Sequence, residues 1–223
     1  MKVILVRHAE AQCRTPSGHY LPDGGLTDIG EAQAQALRFA FAEMNPHLVL
    51  VSPSRRARET AAAAGLSGTS MADLAEWEYG PYTEALAAGR PEADDPMWIW
   101  QQASRNQPNQ PETLATVSRR VERVIDALTP FKSDAKPIVL VSHGHLLRLL
   151  AVRWLGLPPL TAAQLHLRPA GIGYLIGDRS CMGLDAWNAR PERLQELAYQ
   201  QRLHDAQMAT MARRRRAPQR WVS

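Results

Sequence analysis

Three short apolar runs constrain the fold of this chain more than any other feature. Lys2 to Val6, Leu48 to Val51 and Ile138 to Val141 are rich in Val, Ile and Leu and show no polar alternation. Runs of that kind suit strands buried on both faces. Each leads through a polar loop into a segment with helical periodicity. The first of these has Thr27 as N-cap, Gly30 and Glu31 in its first turn, and Ala34, Leu37, Ala40 and Phe41 on one face. It reaches about Met44, where Asn45-Pro46 ends it. Ser52-Pro53 opens a second helix to about Ala64, and Ser142-His143-Gly144-His145 opens another to about Leu155. Strand and helix in alternation predict a three-layer α/β/α architecture with a mostly parallel central sheet.

The remaining segments fill in around that frame. Gly65 to Ser70 reads as a turn. Glu112 to Leu128 reads as a helix with Leu114, Val117, Val121, Val124 and Leu128 on one stripe. Gln164 to Arg168, Gly173 to Ile176 and Met182 to Trp187 read as strands, the last two joined by a turn at 177–180. Residues 82–111 carry four prolines and a Trp98-Ile99-Trp100 cluster, and read as a lid or insertion. From Glu192 the pattern is helical and polar. A domain at 1–194 and a helical, arginine-rich tail at 195–223 are the expected units.

Charge is informative through its location. Five of the 26 basic residues are arginines beyond residue 212; without them 21 basic residues face 22 acidic ones. The body is thus near neutral, which argues against nucleic acid as the partner. The two cysteines, Cys13 and Cys181, suggest neither a disulfide framework nor a zinc knuckle. The opening apolar run is too short for a signal-peptide core, and no run approaches the roughly 20 residues of a membrane helix. A cytoplasmic protein with no metal and no cofactor is expected. Oligomeric state stays open, a homodimer included.

Chemistry gathers at the strand ends. The first strand ends in Arg7-His8, the second in Ser52 followed by Arg55, Arg56 and Arg58, and the third in Ser142-His143-Gly144. In a parallel sheet these ends share one edge, where ligands bind in such folds. Two histidines among arginines suit a phosphate dianion, because guanidinium keeps its charge and offers a planar fork of donors. A neutral imidazole is a competent nucleophile towards phosphorus. A leaving alkoxide needs a proton, and Glu76 and Glu78 both lie on the loop expected to supply it.

At these residues the sequence resembles the histidine phosphatase superfamily, which has the phosphoglycerate-mutase-like fold. VRHAEA resembles the Arg-His-Gly-Glu signature of that family, and LTDIGEAQAQAL the Leu-Thr-x-x-Gly-x-x-Gln-Ala segment after it. SPSRRARETA, LAEWEYG, PETLATVSRRV, VSHGHLLRLLAVRWLGLP and WNARPERL come next in the family's order, from Lys2 to about Leu194 in all. The resemblance implies that His8 forms a phosphohistidine and that Arg7 and Arg56 bind the phosphoryl oxygens. It implies that His143 donates to the same oxygens and that Glu76 is the acid, with Glu78 as the fallback. Arg14 and Gly144 are candidate substrate-contacting positions. Ala9, Ala11 and Arg14 depart from the family's usual glycine, Ser or Thr, and asparagine.

The implied activity is a metal-independent phosphomonoesterase acting on a small phosphorylated metabolite. One alternative is a phosphoglycerate mutase of the same fold; the short span between acid loop and second histidine favours hydrolysis. An alternative of another class is a binding module that works through its basic tail. His145 reads as a helix-start residue, and His19, His47, His166 and His204 lack metal-ligand spacing.

Overall fold

The computed structural model describes residues 1–15, 21–42, 44–80, 83, 97–103, 112–131, 136–177 and 181–216. The expected lid at 82–111 therefore lies outside the described residues except at 83 and 97–103. The strands are β1 (Lys2–Arg7), β2 (Leu48–Val51), β3 (Thr69–Ser70), β4 (Ile138–Ser142), β5 (Ile172–Gly177) and β6 (Met182–Ala189). The helices are α1 (Asp28–Ala42), α2 (Arg55–Ala63), α3 (Trp98–Ala103), α4 (Leu114–Leu128), α5 (Gly144–Trp154) and α6 (Pro191–Arg216). None of the described helices is long and apolar enough to cross a membrane.

The six strands among the described residues form one sheet in the order β3-β2-β4-β1-β5-β6. Pairs β2–β3, β2–β4 and β1–β4 are parallel, whereas β1–β5 and β5–β6 are antiparallel. The sheet is thus mixed, with the parallel half where the three apolar runs placed it. Val3 and Leu5 of β1 face one apolar cluster, and Ile4 and Val6 the other. Helices α4 and α5 pack into the first cluster; α1, α2 and the start of α6 pack into the second. Both faces of β1 are therefore dry, which is why the run shows no alternation.

Local signals account for most elements. The Thr27 hydroxyl caps α1 by accepting from the Gly30 N–H at 3.0 Å, and the Thr113 hydroxyl caps α4 by accepting from the Thr116 N–H. The α4 stripe of Val117, Val121, Val124 and Leu128 is fully buried. Each such side chain contributes about 1.5–3 kcal/mol relative to exposure. A Cβ on Gly30 would fall 1.9 Å from the Glu10 carbonyl oxygen, so glycine lets the α1 turn close on the loop after β1.

Two expectations need correction. Gln164 to Arg168 is not a strand: a 3₁₀ turn runs Pro159–Gln164 and irregular chain comes after it. Its apolar residues instead cap the α5 core, where Ala162, Ala163 and Leu167 are buried. The turn at 65–70 ends in a two-residue edge strand, β3, paired with β2. Exposed Thr and Ser gave no apolar signal for it.

Candidate active site

Register brings the two histidines together. In the parallel β1–β4 pair Arg7 lies opposite Ser142, so His8 and His143 emerge at the same edge. The His8 N–H donates to the Ser142 carbonyl at 2.8 Å, and the two imidazole centroids lie 5.1 Å apart. The loop carrying His8 is braced from several sides. The Ala9 N–H donates to the Thr60 hydroxyl at 3.0 Å, and the Glu10 N–H to the Gln33 side chain at 2.9 Å. This explains why the segments around Thr27 to Gln33 and Arg56 to Thr60 accompany the His8 motif: they hold its loop.

Hydrogen bonds define the state of each imidazole. His8 Nδ1 lies 2.8 Å from the Ala9 carbonyl oxygen, which can only accept. Nδ1 therefore carries the hydrogen, and Nε2 keeps its lone pair. Burial, with repulsion from the Arg7 and Arg56 charges and from His143 when it is protonated, holds the His8 pKa well below the ordinary histidine value. His8 is neutral at pH 7, the form a nucleophile requires. Burial likewise pushes His143 down to about 4. Its Nδ1 accepts from Arg56 Nη2 at 3.1 Å, so its Nε2–H donates to the buried Ser52 hydroxyl at 2.8 Å.

Arg56, at the second position of α2, spans both rings. Its Nε donates to His8 Nε2 at 3.2 Å, and its Nη1 to the Pro22 carbonyl at 2.9 Å. A phosphoryl group between the histidines would take over the donors now aimed at the rings. Arg7 donates through Nη1 to the Leu167 carbonyl at 2.5 Å. Its Nε is buried and has no hydrogen-bond partner among the described residues. An unpaired buried donor costs free energy, and an anion would satisfy it. Gly144 makes room for this guanidinium: a Cβ there would lie 3.2 Å from Arg7 Nε.

The two acidic candidates part company. The carboxylate of Glu76 accepts from the Leu146 N–H at 3.1 Å and the Trp77 N–H at 3.0 Å, with the His145 N–H at 3.4 Å. It thus caps the N-terminus of α5 from another loop. Burial acts to raise its pKa, but His143, His145 and the backbone donors outweigh that and hold it at about 2. At neutral pH it is a carboxylate. Glu78 is exposed, and its N–H donates to Glu112 outside the histidine pair. Arg14 lies exposed beyond the His8 loop; Arg55 is exposed and paired with Glu59 at 2.7 Å.

Tyr79 was not singled out by sequence, and His145, Trp100 and Ser52 were named there without their contacts. The Tyr79 hydroxyl lies 2.6 Å from His145 Nδ1 and also bonds Glu76. His145 is thus more than a helix-start residue; burial pushes its pKa down to about 4. Trp100 is fully buried, packed edge-on against Trp77 at 5.1 Å. The buried Ser52 that orients His143 had a signal: a serine ending an apolar strand, one residue before the proline of the helix start.

Comparison with known proteins gives the family. The family model of the histidine phosphatase superfamily (branch 1) matches residues 3–190. The chain is 31% identical over 180 residues to an acid phosphatase of Mycobacterium tuberculosis, covering 77% of this chain and 84% of that one. It is 29% identical over 179 residues to the "Probable phosphoglycerate mutase GpmB" of Yersinia enterocolitica, covering 75% and 81%. The alpha-ribazole phosphatase of Shigella flexneri superposes with a TM-score of 0.70 at 26% identity, covering 85% of this chain and 97% of that one. The chain belongs to the histidine phosphatase superfamily, branch 1.

Proposed function

We propose that the protein hydrolyses phosphate monoesters of small metabolites through a phosphohistidine on His8. One observation carries this reading: a neutral imidazole whose Nε2 lone pair faces the fork of Arg56 beside a second histidine. His8 Nε2 attacks phosphorus, the N–P bond forms, and the ester P–O bond breaks. Arg7 and Arg56 hold the phosphoryl oxygens, and His143 joins them once the phosphoryl charge draws a proton onto its Nδ1, so that charge is neutralised where it develops. Glu76 gives the leaving oxygen its proton. The resulting carboxylate then takes a proton from water as the water attacks the phosphohistidine, releasing phosphate and restoring His8.

Because Glu76 is ionised at neutral pH, the proton it delivers arrives with the substrate. The productive species is then the ester monoanion, and kcat/KM falls as pH rises through the substrate's second pKa of about 6. The catalytic unit is assigned to residues 1–194, with 195–223 outside it. The cell compartment is taken as the cytoplasm, and a homodimer is left to direct measurement. The similarity to a mutase keeps phosphoryl exchange as the second reading.

Assays separate the two. Phosphate release from a panel of monoesters, in the presence of EDTA and lost in His8→Ala, is the expected result. Isomerisation of 3-phosphoglycerate with a bisphosphate primer and no net phosphate release would replace hydrolase with mutase.

A further inference from the structure

Glu76 sits in a loop between a 3₁₀ turn at Ala72–Leu74 and Gly80, with no strand or helix of its own to hold it. Instead, the backbone around it converges on one guanidinium. Arg120 Nη1 donates to the Asp73 carbonyl at 2.9 Å and the Ala75 carbonyl at 2.5 Å, and Nη2 to the Glu76 carbonyl at 3.3 Å. Glu112 holds that guanidinium through two bonds: Arg120 Nε to Oε1 at 2.8 Å and Nη2 to Oε2 at 2.7 Å. Glu112 also grips the far side of the loop. Its carbonyl accepts from Trp77 Nε1 at 2.9 Å, and its Oε2 from the Glu78 N–H at 3.2 Å. Carbonyls up to the acid and donors just past it are thus fixed by one ion pair.

The pair is well placed to transmit rigidity. Arg120 rises from α4, whose Val117, Val121 and Val124 are fully buried in the core. Its side chain is 11% exposed and that of Glu112 14%, so water competes little for these bonds. The neighbouring Arg123–Asp73 pair, with Arg123 59% exposed, lacks that protection.

We infer that Glu112 and Arg120 are positioning residues that fix Glu76 where it can protonate the leaving group. This rests on Glu76 being the acid, as in the function proposed above. Misplacing a catalytic group by about 1 Å can cost about a hundredfold in rate. The pair touches no reacting atom, so its effect should track the need for a proton. A merely structural pair would weaken every substrate alike.

The test compares kcat/KM on p-nitrophenyl phosphate, whose leaving group departs unprotonated, with that on glycerol phosphate, whose alkoxide does not. This parameter reports the transfer to His8, so damage to the later hydrolysis drops out. Arg120→Met is expected to lose about a hundredfold on the alkyl ester and only a few-fold on the aryl ester. Arg120→Lys should recover part of the alkyl activity. Glu112→Gln, which keeps the shape of the partner, should show the same selective loss and serves if Arg120→Met fails to fold. Equal losses on both esters, or no loss on either, would overturn the inference. Glu76→Gln run alongside keeps the two claims apart. If it discriminates between the esters and the Arg120 and Glu112 variants do not, only the positioning role falls; if it does not discriminate, the acid assignment itself falls.

Discussion

The histidine side and the Glu76 side of the candidate site are built by different means. His8 and His143 stand at the ends of adjacent parallel strands, and a hydrogen-bonded register sets their spacing. Glu76 hangs in a loop and is placed by the N-terminus of α5 on its carboxylate and by Arg120 on its backbone. The electrostatics differ in the same way. Burial keeps the histidines neutral at pH 7, whereas the Trp77 and Leu146 backbone N–H groups keep Glu76 ionised there. Backbone pairing sets the position of His8, the proposed nucleophile, whereas a few long-range side-chain contacts set that of Glu76, the proposed proton donor. A single substitution at Arg120 is therefore expected to disturb the Glu76 side selectively.

Substitutions can break that comparison in graded steps. His8→Ala should cost the most, on the order of 10⁴-fold or more in phosphate release, because the nucleophile is gone. Next, Arg56→Ala should lower kcat/KM by about 10²–10³-fold, and by the same factor on alkyl and aryl esters, since it acts on phosphoryl oxygens common to both. Glu76→Gln should instead spare the aryl ester. A matching profile for Arg56→Ala and Glu76→Gln would erase the distinction between the two sides.

Acid should weaken both sides, the histidine side first. His143 and His145 fall to about 4 from an ordinary 6.5, and Glu76 to about 2 from 4.5. In each window the unfolded chain binds more protons than the folded one. The histidine contribution is thus complete above pH 6.5 and lost as pH falls towards 4. That of Glu76 is complete above 4.5 and lost towards 2. The urea midpoint should drop between pH 7 and 4, and a flat midpoint would contradict the buried neutral histidines. Smallest of all, Gly144→Ala should raise KM a few-fold, because its Cβ would press on Arg7 from 3.2 Å.

The same division explains how much was legible in the sequence. His8, Arg56 and His143 could be read because uninterrupted apolar runs announce dry parallel strands, and such strands deliver their trailing loops to one edge. The antiparallel edge was legible in part: β5 and β6 are long enough to show their pattern, whereas two-residue β3 is not. Gln164 to Arg168 misled because buried residues over α5 carry the same apolar spacing as a strand. Glu76 and Glu78 could not be separated by spacing, since only the α5 N-terminus and Arg120, 44 residues away, distinguish them. The contacts of Tyr79, His145 and Ser52 were hidden for a similar reason, their partners lying 66 to 91 positions away in sequence.

The whole mechanism depends on phosphorus passing through His8. Rapid alkaline quench of turnover with ³²P-labelled monoester, followed by peptide mapping, tests that step most directly. Attack by His8 predicts a base-stable, acid-labile label on the peptide containing His8, absent in His8→Ala and formed no more slowly than turnover. Full turnover with no covalent label, or a label on any other residue, would contradict it.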